Sequence, residues 1–335
     1  MKKKLLRGMV LALIFLSLRT DFVSAQLPRS ATLGTHATGT GFNSIGIGIA
    51  TVASRHTPIS VRVQPSAGPP AWLPAMDRGE VEMGVLTSAD AVTSYKGIVL
   101  YKKPYRNSRI LVVGGALHVG FIVAKESSIE TVADLKGKRI PSDFPGIPIV
   151  RLNATALLAS ADLSFNDVVK VPVSDLVGNY QAFLEGRTDA AWHSVASPGV
   201  EEANARRGGV KFIAALTTPE AAKKMEEIAP GTYPSVRKTG SATGIVKDTP
   251  LMTTDTYLIA TKDLSEEAAY QIVKALWDYN EELGSAHPIL KDWQRDRMIS
   301  DKAFIAYHPG AVKFFKEKQL WTKEMEALQT KLSAQ

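Results

Sequence analysis

Three loops of this sequence combine glycines with hydroxyl, aromatic or basic side chains, close to segments predicted to be helices. The residues that could contact a ligand are Thr38, Gly39, Thr40, Gly41, Phe42 and Asn43 in the first loop, Ser66, Gly68 and Trp72 in the second, and Gly146, Ile147 and Arg151 in the third. Unpaired N–H groups at a helix N-terminus bind anions without a cationic side chain, and glycines let the backbone approach a ligand. The pattern predicts a site for a small anion, although the first loop could be a plain strand-to-helix turn.

Five further residues follow predicted strands and could face the same ligand. They are Thr87, Ser88, Trp192, His193 and Tyr233. Hydroxyl and phenol groups can donate hydrogen bonds, an indole can stack on a ring, and an imidazole can donate to an anion. Three candidates have a structural alternative: Trp72 could be a core residue, Arg151 could be solvated or structural, and a single histidine after a strand, such as His193, is more often structural.

Catalysis has little support in the sequence. The six histidines are His36, His56, His118, His193, His287 and His308. None has the spacing of a zinc motif, the sequence has no Gly-x-Ser-x-Gly nucleophile elbow, and Asp189 and His193, four residues apart, have no evident third partner. The absence of cysteine excludes disulfides and thiolate metal sites. We expect no catalytic residue, no metal site and no cofactor.

An alternation of predicted strands and helices must position the candidate residues. Strands are predicted at 31–35, 61–65, 81–86, 110–113, 119–124, 168–173, 190–193, 210–216 and 256–261, and helices at 44–54, 70–78, 150–160, 176–185, 198–207 and from 265 onward. Segment 229–249 is predicted to be a loop. Such alternation favours α/β architecture with parallel sheets covered by helices on both faces. We predict two α/β lobes with a cleft: residues 26–117 plus 253–335 form lobe I and 118–252 form lobe II, with crossings near 111–120 and 245–258.

Residues 1–25 have the pattern of a secretory signal peptide. A cationic start containing Lys2, Lys3 and Lys4 precedes an apolar run over 9–18, and small residues lead up to Gln26. The run is about half of the roughly 20 residues that a membrane span needs. We expect cleavage near Ala25 and a soluble mature protein in the periplasm. Its net charge is then about +3 instead of +7, and without a dense basic block we expect no nucleic acid partner.

Several short motifs, taken in order, resemble one known family. They are Leu33-Gly34-Thr35, Gly79-Glu80-Val81-Glu82, Asp134-Leu135-Lys136-Gly137-Lys138-Arg139, Glu185-Gly186-Arg187-Thr188-Asp189-Ala190, Pro230-Gly231-Thr232-Tyr233 and Tyr307-His308-Pro309-Gly310-Ala311. The chain thereby resembles the TAXI-type solute receptors of tripartite ATP-independent periplasmic (TRAP) transporters over nearly its whole mature length. The resemblance implies a type II periplasmic binding protein fold with two hinge crossings. It also implies a monomer that delivers a small organic anion to a TRAP membrane permease with fused small and large subunits.

The chain departs from that family's pattern in all three loops. Relatives carry Gly-Gly-Thr-Tyr-Tyr at 39–43, Gly-Gly-Ser-Val-Glu-Asn near Gly68 and Trp72, and Pro-Gly-Ser-Gly-Thr around Ile147 and Pro148. Polar donors are lost in each loop and apolar surface is gained. With these departures, the resemblance implies a carboxylate with an apolar or aromatic part as ligand, and not glutamate.

The sequence leaves two alternatives open. The same fold serves ATP-driven uptake systems for other solutes and sensory receptors, so the membrane partner could differ. A secreted hydrolase or lyase is the enzyme alternative, and turnover in a broad substrate screen would distinguish it from a binding protein.

Overall fold

The computed structural model describes residues 27–99 and 101–334. The predicted leader, residues 1–25, lies outside the described residues. Within the described ranges the strands are β1 (Ser30–Thr35), β2 (Ser60–Pro65), β3 (Met83–Thr87), β4 (Ser108–Ala124), β5 (Arg139–Asp143), β6 (Val169–Val173), β7 (Ala190–Ser194), β8 (Val210–Phe212), β9 (Thr232–Arg237) and β10 (Thr249–Thr261).

The helices alternate with these strands as the sequence predicts. They are α1 (Gly41–His56), α2 (Pro69–Asp77), α3 (Ser88–Lys96), α4 (Pro148–Ser160), α5 (Leu176–Leu184), α6 (Pro198–Arg206), α7 (Pro219–Ile228), α8 (Glu266–Asp278), α9 (Asn280–Ala286), α10 (Pro309–Glu317) and α11 (Lys323–Ser333), with short 3₁₀ turns at Val132–Leu135, Pro288–Asp292 and Arg295–Arg297. No helix in the described part of the chain is long and apolar enough to cross a bilayer.

A mixed sheet forms the centre of the molecule. Its order is β2-β1-β3-β10-β4-β7, with β8 also paired to β4 and β9 to β10, while β5 and β6 form a separate parallel pair. β1 runs parallel to β2 and β3, but β10 runs antiparallel to β3 and β4. The α/β class is confirmed. The predicted parallel sheet is in fact mixed, because β4 and β10 run antiparallel to the strands on either side of them.

The two long strands β4 and β10 form one antiparallel pair with a bulge in its middle. Val113 pairs with Tyr257 and Ala116 pairs with Asp255, so Gly114 and Gly115 stand opposite Thr256 alone. The Thr256 hydroxyl donates to the Gly115 carbonyl at 2.8 Å. The runs 110–113 and 119–124, predicted as two strands, are therefore one strand, because a double glycine is accommodated as a bulge. Both predicted crossings, near 111–120 and 245–258, fall on this pair, while the division into lobes stays a prediction.

Two further sequence predictions are wrong in detail. Segment 229–249, predicted to be a loop from its many Pro, Gly, Ser and Thr residues, contains strand β9. Pro234 is tolerated in this strand because β9 is an edge strand paired to β10. The predicted elements do not include helix α7, although Thr218 caps it through a hydrogen bond from the Ala221 N–H and Pro219 occupies its first turn. Both signals are typical of a helix start.

One large hydrophobic core fills most of the space between the sheet and its helices. Trp72, Tyr257, Trp293 and Phe314 are among the largest side chains that are fully buried, and most buried apolar residues belong to one cluster. Trp72 of α2 packs on β1 and β3, where a methyl group at Gly34 would lie 2.7 Å from the ring. The first turns of α1, α4, α5 and α6 contribute residues that line a cavity.

Candidate functional site

A cavity of about 240 Å³ lies where strand ends and helix N-termini meet. The ends of β1, β3 and β7 and the first turns of α1, α4, α5 and α6 contribute to its wall. The predicted residues that line it are Thr38, Gly39, Thr40, Gly41, Phe42, Thr87, Trp192 and His193. This is the position in which α/β proteins hold ligands.

The first loop leads directly into α1 along the cavity wall. Thr40 is the N-cap of α1: its hydroxyl accepts from the Asn43 N–H at 3.3 Å and donates to the Ala37 carbonyl at 2.7 Å. Asn43 does not line the cavity, because its amide donates to the Thr35 hydroxyl at 3.2 Å inside the protein. Phe42 does line it, with its ring centroid 4.5 Å from that of His36.

The second loop lies behind the cavity wall. The Ser66 hydroxyl is occupied by backbone groups, donating to the Thr35 carbonyl at 3.1 Å and accepting from the Gly68 N–H at 3.2 Å. A methyl group at Gly68 would lie 3.1 Å from the His36 ring, so this loop supports His36 from behind. Trp72 is 1% exposed and packs in the core, so it is a core residue and not a ligand contact.

The third loop is also set back from the cavity. Gly146 and the buried Ile147 precede α4 without lining the space. Arg151 does not reach it, because its guanidinium lies 3.5 Å above the Phe165 ring, and burial lowers the pKa of Arg151. Another residue of α4, Asn153, lines the cavity instead, and its side-chain oxygen Oδ1 has no hydrogen-bond partner among the described residues.

The hydroxyl and phenol candidates are engaged in structural hydrogen bonds. Thr87 lines the cavity, but its hydroxyl caps α3 and bonds to Asp90 at 3.0 Å. Ser88 bonds to the Thr254 hydroxyl at 3.0 Å. Tyr233 is 41% exposed and its phenol donates to Asp255 at 3.4 Å, outside the cavity.

Trp192 and His193 at the end of β7 both face the cavity. The Trp192 backbone is fixed by Asn179, whose side chain bonds to both its N–H and its carbonyl at 2.9 Å. The indole meets the Phe121 ring edge-on at 5.2 Å between centroids. His193 is 9% exposed, and burial lowers its pKa to about 4, so the imidazole is neutral near pH 7.

Several buried polar groups of the cavity wall have no hydrogen-bond partner among the described residues. They are both ring nitrogens of His36, Oδ1 of Asn153, the phenol oxygen of Tyr180, Nε2 of His193 and Oγ of Ser197. Burial lowers the pKa of His36 to about 3. Buried polar groups are normally paired in folded proteins, so these atoms are available for hydrogen bonds with a polar ligand.

The cavity wall is otherwise mostly apolar and almost free of formal charge. Leu117, Val119, Ile149 and Val177 contribute aliphatic surface beside the aromatic rings. Among the described residues no lysine or arginine lines it, and the one carboxylate is that of Glu202, which pairs with Arg206 at 3.2 Å. In the part of the chain that the structure describes, no cluster of three or more His, Asp or Glu side chains could hold a metal ion.

Sequence reasoning did not identify His36, Asn153, Tyr180, Ser197 or Glu202. For Asn153 a signal existed, because an amide among the apolar residues of a half-buried helix is unusual. Ser197 also had one, since Ser-Pro typically opens a helix. His36 had no comparable signal, since a histidine after a strand does not reveal which way its ring faces.

The sequence and the fold are similar to those of known proteins. The model of the NMT1-like family matches residues 33–318. A solved structure described as a periplasmic transporter is 13% identical with a TM-score of 0.53, covering 91% of this chain and 96% of that one. The binding protein component of an ABC phosphonate transporter from Pseudomonas aeruginosa is 13% identical with a TM-score of 0.52, covering 92% and 99%. A protein from Bordetella bronchiseptica RB50 is 16% identical with a TM-score of 0.51, covering 90% and 98%. These likenesses show the fold, which is that of periplasmic binding proteins.

Proposed function

The chain belongs to the NMT1-like family, and from that premise we propose that it is a periplasmic receptor for a small organic anion. The ligand is a carboxylate with an apolar or aromatic part. The observation that carries the proposal is the cavity of about 240 Å³, with helix N-termini and unpaired polar atoms on an otherwise apolar wall.

The size and lining of the cavity favour a single ring. An apolar cavity of about 150 Å³ in another protein holds benzene, so this one has room for a ring and a polar group. Phe42 and Trp192 offer aromatic surface and Leu117 and Val119 offer aliphatic surface. A small polar amino acid would leave most of this wall without a matching partner.

The anion would be held without a cationic side chain. The first turns of α1, α4, α5 and α6 contribute residues to the wall, and each helix N-terminus carries a partial positive charge. The buried and neutral imidazoles of His36 and His193 add potential donors.

The membrane partner in this proposal is a TRAP permease with fused small and large subunits, which the receptor serves as a monomer. The family motifs in the sequence support this partner. An ATP-driven permease is the second candidate, because the similar binding protein from Pseudomonas aeruginosa belongs to an ABC transporter. A neighbouring gene for a large fused TRAP membrane protein supports the first candidate, and a neighbouring ATPase gene supports the second.

Isothermal titration of the mature protein tests the ligand class. Phenylacetate and aliphatic carboxylates of similar size should bind with one-to-one stoichiometry. Phenylacetamide, which has the same shape but no charge, is the matched control and should bind weakly. Tight binding of glutamate without any response to the aromatic or aliphatic acids would contradict the proposal, and turnover of a bound compound would favour the hydrolase alternative.

A further inference from the structure

The N-terminus of α6 opens directly onto the cavity. Ser197, Pro198 and Gly199 all line it, and the helix that follows has nine residues. Pro198 has no N–H group, so Gly199 provides the first free N–H of the helix, for which an α-helix has no internal acceptor.

Ser197 is an N-cap residue whose hydroxyl does not cap. Its backbone is extended, as an N-cap requires, but its side chain accepts no hydrogen bond from the helix. Thr40 and Thr87, the N-caps of α1 and α3, both accept such a bond. Ser197 is 2% exposed and its hydroxyl has no hydrogen-bond partner among the described residues, so the hydroxyl is free to bind a group in the cavity.

His193 lies against the same helix end. A methyl group at Gly199 would be 2.7 Å from Cε1 of the imidazole, so only glycine allows the ring to approach this closely. Nε2 of His193 has no partner among the described residues and the side chain is nine-tenths buried. The imidazole also meets the Tyr180 ring edge-on, with 5.9 Å between the ring centroids.

We propose that this corner, formed by His193 Nε2, Ser197 Oγ and the Gly199 N–H, binds the charged group of the ligand and selects a monoanion. The proposal rests on the proposed function and deepens it. A carboxylate or a sulfonate meets the requirement, whereas a phosphonate dianion does not.

The selectivity follows from the charges that surround the corner. A helix N-terminus is equivalent to about half of a positive elementary charge. This charge partly neutralises a monoanion and leaves most of the charge of a dianion uncompensated. Among the described residues no lysine or arginine lines the cavity, and Glu202 of the same helix would repel a dianion. Arg206 is paired with Glu202 and does not line the wall.

A ligand series on one scaffold tests the selectivity. Phenylacetate and phenylmethanesulfonate should bind to the wild-type protein with similar affinity, because both are monoanions near neutral pH. Phenylmethanephosphonate should bind progressively more weakly as rising pH removes its second proton. Equal binding of the phosphonate dianion would overturn the selectivity for a monoanion.

Two substitutions test the corner itself. Ser197→Ala and His193→Leu should each weaken phenylacetate binding about 10- to 100-fold, as expected for hydrogen bonds to a charged group, and His193→Gln should restore part of the loss. Ser142→Ala is the matched control, because Ser142 is equally buried and unpaired among the described residues but does not line the cavity.

The outcomes distinguish this inference from the proposed function. If wild-type protein binds phenylacetate and both Ser197→Ala and His193→Leu bind it equally well, the corner is not the anion site and the proposed function stands. If wild-type protein binds neither monoanion nor any other tested carboxylate, the proposed function fails and this inference fails with it.

Discussion

Burying an imidazole without a polar partner is unfavourable, and His36 is such a group. Its side chain is 3% exposed, and neither ring nitrogen has a hydrogen-bond partner among the described residues. Phe42 lies on one side of the ring and Gly68 on another. Because an unpaired buried polar group costs about 1–3 kcal/mol, its presence on the cavity wall is best understood as a contribution to ligand binding.

Replacing His36 by leucine should therefore separate stability from binding. His36→Leu should raise the free energy of unfolding of the ligand-free protein by about 1–3 kcal/mol, because a side chain of similar size no longer buries unpaired polar atoms. The same change should weaken phenylacetate binding. Urea denaturation and calorimetric titration measure the two effects. His36→Gln, which keeps a donor, is the control, and a destabilised leucine variant with unchanged affinity would contradict this interpretation.

At the scale of single residues, the sequence predicted the first loop and the end of β7 better than the other loops. Glycine and hydroxyl side chains after a strand identify a loop at the ligand-facing edge. Trp72, Ile147 and Arg151 have the right residue types but face the core or another ring. The rotation of a helix about its axis decides whether a side chain in its first turn faces a cleft or the interior. That rotation depends on packing partners far away in the sequence.

The contact of α2 with the sheet illustrates how elements constrain each other. Trp72 packs across β1 and β3 because both strands carry a glycine beneath the ring, Gly34 and Gly84. A methyl group at Gly84 would overlap the indole. Gly84→Ala should therefore lower the free energy of unfolding by about 1–3 kcal/mol, the usual cost of overpacking a core, and leave ligand affinity unchanged, since Trp72 does not line the cavity.

A glycine with free space around it provides the control for that substitution. Gly284 lies in α9, where a methyl group would meet no atom closer than 3.9 Å. Gly284→Ala should raise stability by up to about 1 kcal/mol, because alanine is the better helix former. Thermal or urea unfolding compares the two variants. A Gly84→Ala protein as stable as wild type would show that α2 can shift away from the sheet.

Elements with strong periodicity could be predicted from the sequence, and elements defined by pairing could not. β1, β2 and most helices agree with their predicted ranges to within a few residues. The joining of two apolar runs into β4 depends on β10, which lies more than a hundred residues further on and supplies Thr256 opposite the double glycine. β9 likewise exists as a strand because β10 is its partner.

At the scale of the whole molecule, residues of the two predicted lobes meet around the cavity. A methyl group at Gly41 would lie 2.6 Å from the Ser194 hydroxyl, and the Ser88 hydroxyl donates to the Gly231 carbonyl at 3.4 Å. The bulge at Gly114 and Gly115 lies midway along the strands that connect both sides. Contacts between the predicted lobes therefore lie on both sides of the chain crossings, and the division into lobes remains a prediction.

Buried histidines also set how the whole molecule responds to pH. Burial lowers the pKa of His36 to about 3 and the pKa values of His118, His193 and His308 to about 4. In the unfolded chain these rings titrate near pH 6.5. The unfolded state therefore binds more protons than the folded state between about pH 4 and pH 6.5, and stability in this window falls as pH falls.

Asp90 acts in the opposite direction. Burial raises its pKa to about 6, so the folded state takes up this proton first and gains stability as pH falls from about 6 towards 4. The stabilising effect of this one carboxyl group on acidification is smaller than the destabilising effect of the four imidazoles. We therefore expect the free energy of unfolding to decrease steadily from pH 7 to pH 5. Urea denaturation across this range measures it. His36→Leu should show a shallower slope, by up to about 1.4 kcal/mol per pH unit, because one proton fewer is taken up on unfolding. A wild-type stability that is flat or rises on acidification would show that the histidines are not held neutral by burial.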